Sequence, residues 1–365
     1  MATNKYDNKL KKKFSTLKGQ LTRCESRISA IMSEALSATR TDKAYWNGLK
    51  SRINKEYKKV MELCSEWANT EIPKQYRFVL KEQMAKAKNL KSITNKAKKT
   101  ITQLLKSKTV TQMQQILAQN AINDIASGLL IGQRDLNKLL NATRQTLISE
   151  SAISTGLMEG IESGNIATAK ILSRKGSIAN KLLKANDGNR FIKIFDINGN
   201  PRTYRISYYA EMVYRSAWHE AQSAAVRMNN ANWGSDLVRV SNHNTTTEIC
   251  QQYEGKVFSL SGKNKDFPVL DQSPPFHVNC LHYITTTFEE ALKVQGVYDD
   301  YAKFSNNQID IPPGQTGFVP IEKRNKIVNE TIANTKDTEK YFNATTKQKS
   351  IMIRDNVSEA IGAAA

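Results

Sequence analysis

Residues 190–206 read RFIKIFDINGNPRTYRI. The runs Arg190–Asp196 and Arg202–Ile206 alternate in polarity on either side of Asn198-Gly199-Asn200. Asn-Gly between alternating runs is the strongest short-range signal for a β-hairpin. The chain before this point repeats its apolar residues with the 3.6-residue period of helices, and the chain after it mixes one helix with short alternating runs. The sequence therefore predicts an α+β protein: an extended, mainly α-helical N-terminal half to about residue 185, then a separate small α+β module.

Upstream of the hairpin, Leu10, Phe14, Leu17, Leu21, Cys24, Ile28 and Ile31 step alternately by four and three, an a/d heptad that predicts coiled helices. A second stripe joins Trp46, Leu49, Ile53, Tyr57, Val60, Cys64 and Trp67, and Pro73 is expected to interrupt it. A third helix is predicted over about 75–106. Cys24 and Cys64 lie on the stripes and read as core residues. From 109 to 184 the helical pattern continues, and Gly128, Gly132, Gly156, Gly160 and Gly164 are expected to cut it into short helices as C-caps. Neither Gly128–Gly132 nor Gly160–Gly164 is followed by Lys-Ser/Thr, so neither is a phosphate loop.

Downstream, a helix is predicted over about 208–232, capped by Ser207 and ended near Gly234. Strands are predicted at Leu237–Val240, Val257–Leu260 and Tyr283–Thr287. After Val297 apolar residues thin out, and residues 301–365 read as a tail with at most a short helix near 339–361. Charge and periodicity thus mark four segments: a basic coiled helical region 1–106, a helical connection 107–189, the α+β module 190–295 and the tail 296–365.

Residues 250–285 collect the chemistry. Cys250 lies thirty residues before Cys280, and His277 and His282 flank Cys280 at offsets of minus three and plus two. A strand and the Pro274-Pro275 step separate the two halves, so the excursion can return His277, Cys280 and His282 to Cys250. Two thiols and two imidazoles so arranged are the donor set of a small structural zinc site, with His243 as a spare ligand. Two other readings stay open: a metal-free core of reduced cysteines and ordinary histidines, and a disulfide between Cys250 and Cys280.

The same stretch resembles a known family. CQQYEGKVFSLSG followed by PPFHVNCLHYI, with SYYAEMVYRSAWHEAQSAAVRMNNANWGSDLVRVSNHNTTTEIC upstream, is similar to the C-terminal signature of phage minor capsid proteins. The resemblance is in particular to the minor capsid protein 2 family and the related Mu F-like head morphogenesis proteins. It spans about residues 205–290. Many relatives carry Cys-x-x-Cys where this chain has Cys250 and Tyr253, and their His-Pro-Asn-Cys-Arg reads His277-Val278-Asn279-Cys280-Leu281 here. The resemblance implies a low-copy structural component of the virion head, made in the bacterial host cytoplasm. Its partners would be portal, scaffold or major capsid proteins.

Composition narrows the remaining classes. The 365 residues carry a formal net charge of +20, and residues 1–100 hold 24 Lys/Arg against 9 Asp/Glu. That surplus should attract nucleic acid or an acidic protein surface; a nucleic-acid contact would be to phosphates without reading bases, which would suit packaged double-stranded DNA. No stretch of eighteen apolar residues exists, so no membrane partner is expected, and the polar, basic start is no secretory signal. Enzyme signatures are missing. His219 directly precedes Glu220, so the His-x-Glu of a zinc deaminase is absent, as is His-Glu-x-x-His. A Cys280 nucleophile with His277 as base would lack an orienting third group. No catalytic residue is assigned and no enzyme is expected. The alternatives are a non-specific nucleic-acid-binding protein with a zinc-stabilised module and, behind it, a Cys/His-dependent hydrolase.

Overall fold

Both predicted apolar stripes are buried along their full length, from Leu10 to Ile31 on the first helix and from Trp46 to Trp67 on the second. The computed structural model describes residues 5–87, 103–159, 190–195, 199–277 and 280–306, so the expectations for 160–189 and for a helix near 339–361 lie outside the described residues. Among the described residues three long helices come first: α1 (Lys5–Leu36), α2 (Lys43–Ala87) and α3 (Lys108–Glu159). The hairpin β1 (Ile192–Phe195) and β2 (Pro201–Tyr204) follows, then α4 (Ile206–Trp233), β3 (Leu237–Val240), the one-turn α5 (Glu248–Gln251) and β4 (Val257–Ser259). The last described elements are β5 (Ile284–Thr286), α6 (Glu289–Val294) and α7 (Tyr298–Asn306). Among the described residues no strand precedes β1, and the coarse α+β reading holds.

Pro73 does not end a helix. It lies inside α2, which continues to Ala87. Proline donates no hydrogen bond to the preceding turn, but Ile72, Tyr76, Val79 and Leu80 around it are fully buried, and that packing outweighs the lost bond.

Packing divides the chain into two compact units, each discontinuous in sequence. One takes the chain up to Ser15, Glu66–Asn123 and the stretch from Glu211; the other takes Thr16–Ser65 and Asp124–Ala210. These units follow packing, whereas the four segments above follow charge and period.

In the second unit α1 and α2 run antiparallel, as the ion pairs Arg52–Glu34 at 2.6 Å and Arg27–Glu56 at 2.8 Å require. The hairpin pairs Ile192 with Tyr204 and Phe195 with Pro201, and Gly199 takes φ +77° in its turn. Its first strand lies directly on α3. A Cβ on Gly132 would stand 2.1 Å from the Phe191 carbonyl oxygen, and one on Gly128 would stand 2.7 Å from Ile192 Cγ2. Gly128 and Gly132 are therefore not helix C-caps: α3 runs through both, and they are glycine because a strand packs there. Tyr57 Oη donates to the same Phe191 oxygen at 2.6 Å.

The start of α4 also departs from expectation. Ser207 is already inside the helix, and its N–H donates to Glu25 Oε1 of α1 at 2.7 Å. Arg205 pairs with the other Glu25 oxygen at 3.1 Å. A fully buried carboxylate from a distant helix thus satisfies an N-terminal amide and meets the positive end of the helix.

In the first unit Trp67 is the hub of an aromatic cluster, with Phe14 at 5.8 Å, Tyr214 at 4.4 Å and Trp218 at 6.2 Å between ring centroids. Tyr214 and Trp218 belong to α4, so the α+β stretch is not separate from the N-terminal helices: its helix shares their core. The three-stranded antiparallel sheet has the order β4-β3-β5. Leu237, Val257, Phe267 and Leu292 form a small core against which Val297, Tyr298, Tyr301 and Ala302 pack. Ser305 Oγ accepts the Val257 N–H at 2.9 Å. Residues 298–306, placed in the tail by their low apolar content, are thus a helix fixed on the sheet. Its buried face uses tyrosines and a serine in place of aliphatic residues. No helix among the described residues is long and apolar enough to cross a membrane.

Candidate metal centre

Two connections place the donors at one end of the sheet. Beyond β3, Ser241 N–H donates to Tyr283 O at 2.9 Å and Tyr283 N–H donates to Ser241 Oγ at 3.1 Å, which draws residues 280–283 alongside the loop after β3. That loop leads into α5, whose single turn carries Cys250. Val240 N–H donates to Lys256 O at 2.9 Å, so the chain leaving α5 returns beside β3 as β4. The Pro274-Pro275 bond on the return path is cis.

The ligand atoms of Cys250, Cys280 and His282 lie within 4.8 Å of one another, and all three residues are buried. Sγ of Cys250 and Sγ of Cys280 are 3.9 Å apart, and Cys280 Sγ is 3.4 Å from His282 Nδ1. A tetrahedral zinc with Zn–S near 2.3 Å and Zn–N near 2.0 Å would have an S···S edge of about 3.8 Å and an S···N edge of about 3.5 Å. Two edges of the group therefore match such a site, the third lies within 4.8 Å, and the three donors could hold a metal ion. The cysteines are free thiols, and 3.9 Å is nearly twice a disulfide bond length.

The electrostatics favour a thiolate at Cys280. Burial opposes its ionisation, but the hydrogen bonds from Cys250 and His282, the His282 charge and the Phe276 N–H together hold its pKa well below the ordinary thiol value. His282 N–H also points at this sulfur, at 3.4 Å. Cys250 moves the other way: its hydrogen bond to Cys280, then burial, holds it as a thiol. For His282 burial favours the neutral ring, yet Cys280 and Glu254 raise its pKa.

Of the sequence-predicted ligands, Cys250, Cys280 and His282 come together. His277 is not a member of the group; its carbonyl accepts the Cys280 N–H at 3.1 Å and so shapes the turn that presents the thiol. His243, the spare candidate, turns an edge to His282 with 4.9 Å between ring centroids, and its Nε2 is bonded to Ser241 Oγ at 2.8 Å. Tyr253 occupies the place where relatives of the resembled family carry a second cysteine. It stacks on Phe276 at 4.2 Å and donates to Asp271 Oδ1 at 3.0 Å. One neighbour escaped sequence reasoning: Glu254, whose Oε1 lies 3.0 Å from His282 Nε2. Its only sequence signal is a carboxylate four residues after Cys250.

No protein-family model, curated protein or solved structure matches this chain.

Proposed function

We propose that this protein is a structural component of a tailed-phage head, a minor capsid or head morphogenesis protein. Its Cys250–His282 corner is closed by zinc. The protein is made in the bacterial cytoplasm and assembles with portal, scaffold or major capsid proteins. Its basic helices touch packaged double-stranded DNA through phosphates alone. The observation that carries this reading is the convergence of Cys250, Cys280 and His282, the ends of the family-like motif, to within 4.8 Å of one another. Zinc fits better than a harder cation because two of the donors are sulfur and one is imidazole. When bound, zinc would supply a cross-link between α5 and the segment leading into β5, with no redox chemistry of its own.

Mass spectrometry of purified particles tests the assignment: the protein should co-purify with heads at a small fraction of the major capsid protein. Its absence from particles and from assembly intermediates refutes the head role. Elemental analysis of the purified chain should find about one zinc per molecule.

A second reading has one observation in its favour. Glu254, His282 and Cys280 stand in the order of a carboxylate–imidazole–thiolate catalytic row. Against it, Cys280 is 1% exposed and Cys250 occupies its other side, so no substrate carbonyl reaches the sulfur. Rapid alkylation of Cys280 by iodoacetamide in the folded, metal-free protein would favour the hydrolase reading; slow alkylation favours the structural one.

A further inference from the structure

Glu254 is bound more tightly than a surface carboxylate has reason to be. Its Oε1 accepts the His243 N–H and takes the Thr245 N–H at 3.3 Å, and its Oε2 takes the Thr245 N–H at 3.0 Å. Asn244 between them adopts φ +53°, which turns two nearby amides of a seven-residue loop towards one carboxylate. The remaining direction from Oε1 leads to His282 Nε2 at 3.0 Å. An imidazole whose Nε2 faces a carboxylate carries its proton there. Nδ1 is the atom 3.4 Å from Cys280 Sγ; without metal its N–H faces the thiolate, and a metal ion bound there would displace that proton and meet the Nδ1 lone pair. Carboxylates placed behind metal-bound histidines fix the ring tautomer and raise its basicity.

We propose that Glu254 is the positioning residue of the metal centre: anchored by the His243 and Thr245 amides, it holds His282 as the Nε2–H tautomer with Nδ1 aimed at the metal. This rests on the zinc reading above and adds to it a residue that never touches the metal. It also accounts for His243, whose backbone amide holds the carboxylate while its ring, tied to Ser241, packs edge-on against His282. The loop 241–247 thereby acts as a second layer around the ligands.

The test uses the full chain with Glu254→Ala, Glu254→Gln and Cys280→Ser variants. Zinc affinity is read by competition with a chromophoric chelator. Histidine tautomers are read from long-range proton–nitrogen spectra of zinc-loaded, 15N-histidine-labelled protein. Wild type should bind one zinc and show His282 protonated at Nε2. Glu254→Ala should weaken zinc binding about 10–100-fold and mix the His282 tautomers. Glu254→Gln keeps the side-chain length and an acceptor oxygen, so it should preserve the loop yet still lose several-fold in affinity. Cys280→Ser should abolish tight binding. Wild-type zinc binding with unchanged affinity and unchanged His282 tautomer in both Glu254 variants overturns this role and leaves the zinc site standing. Failure of the wild type to bind zinc overturns the site and the role of Glu254 with it.

Discussion

Gly132→Ala should destabilise the protein although it replaces glycine by the best helix former in the middle of a helix. In an open helical position that exchange gains about 1 kcal/mol. At Gly132 the new Cβ would stand 2.1 Å from the Phe191 oxygen, 3.1 Å from its carbonyl carbon and 3.3 Å from Ile192 Cα, all backbone atoms. An ordinary C···O contact is about 3.3 Å, so the Phe191 carbonyl must retreat by roughly 1 Å. That displacement carries it out of reach of Tyr57 Oη, now at 2.6 Å, and leaves a buried hydroxyl without its acceptor. The lost partner costs about 1–3 kcal/mol and the overpacking about 1–3 kcal/mol. After the helical gain the net loss is on the order of 3 kcal/mol, a fall in melting temperature of about 4 °C for a chain of this length. Gly19 and Gly48 are helical glycines at which a Cβ would meet nothing within 4 Å. They are the internal controls, and their alanine variants should be neutral or stabilised. Urea denaturation of the three variants, with Gly132→Ala repeated in a Tyr57→Phe background, decides the matter. The second background should recover part of the loss, because the hydroxyl is no longer there to be orphaned. Gly132→Ala as stable as Gly19→Ala, or a full loss unchanged by Tyr57→Phe, refutes the reasoning.

Glu25→Ala should cost about 2–3 kcal/mol by removing the charged acceptor of the buried Ser207 N–H, whereas Glu34→Ala, at a half-buried carboxylate paired with the exposed Arg52, should cost under about 1 kcal/mol in the same denaturation assay. Asp236 accepts hydrogen bonds from Ser259 Oγ, from Ser261 N–H at 2.8 Å and from Asn264 N–H at 3.3 Å. Burial pushes its pKa up, but these bonds outweigh it and hold the carboxyl below its ordinary value. Its stabilisation is therefore complete above a pH of about 4 and disappears as pH falls through the lower folded value. The stability gap between wild type and Asp236→Asn should close over that acid range; a gap independent of pH refutes the assignment. Filter binding of the full chain to duplexes of unrelated sequence should show weak, equal affinities that fall with salt at a log–log slope of about −0.9 per phosphate contacted. No retention at low salt would exclude the DNA contact.

Local periodicity determined a good deal of this protein. The two apolar stripes, the Asn-Gly hairpin and the strands at 237–240, 257–259 and 284–286 were legible because each is written in side chains close along the chain, with a spacing that only one backbone geometry can bury. The cysteines and His282 of the centre were legible as donors for the same reason: their chemistry belongs to the residue type. Partner choice was not legible, because it depends on which distant segments meet. Pro73 looks like a helix end until the buried residues on both sides of it are seen, and Gly132 looks like a cap until Phe191 is found against it. Glu25 is one acidic residue among many along the helices, and only the fold sets it at the start of α4, 182 residues away in sequence. Within the centre, the spacing His277-x-x-Cys280 suggested a knuckle, yet the turn uses the His277 carbonyl and His282 supplies the third donor. Glu254 could be recognised only after the loop after β3 had folded over it, since a carboxylate becomes a positioning group through the amides and the imidazole that surround it.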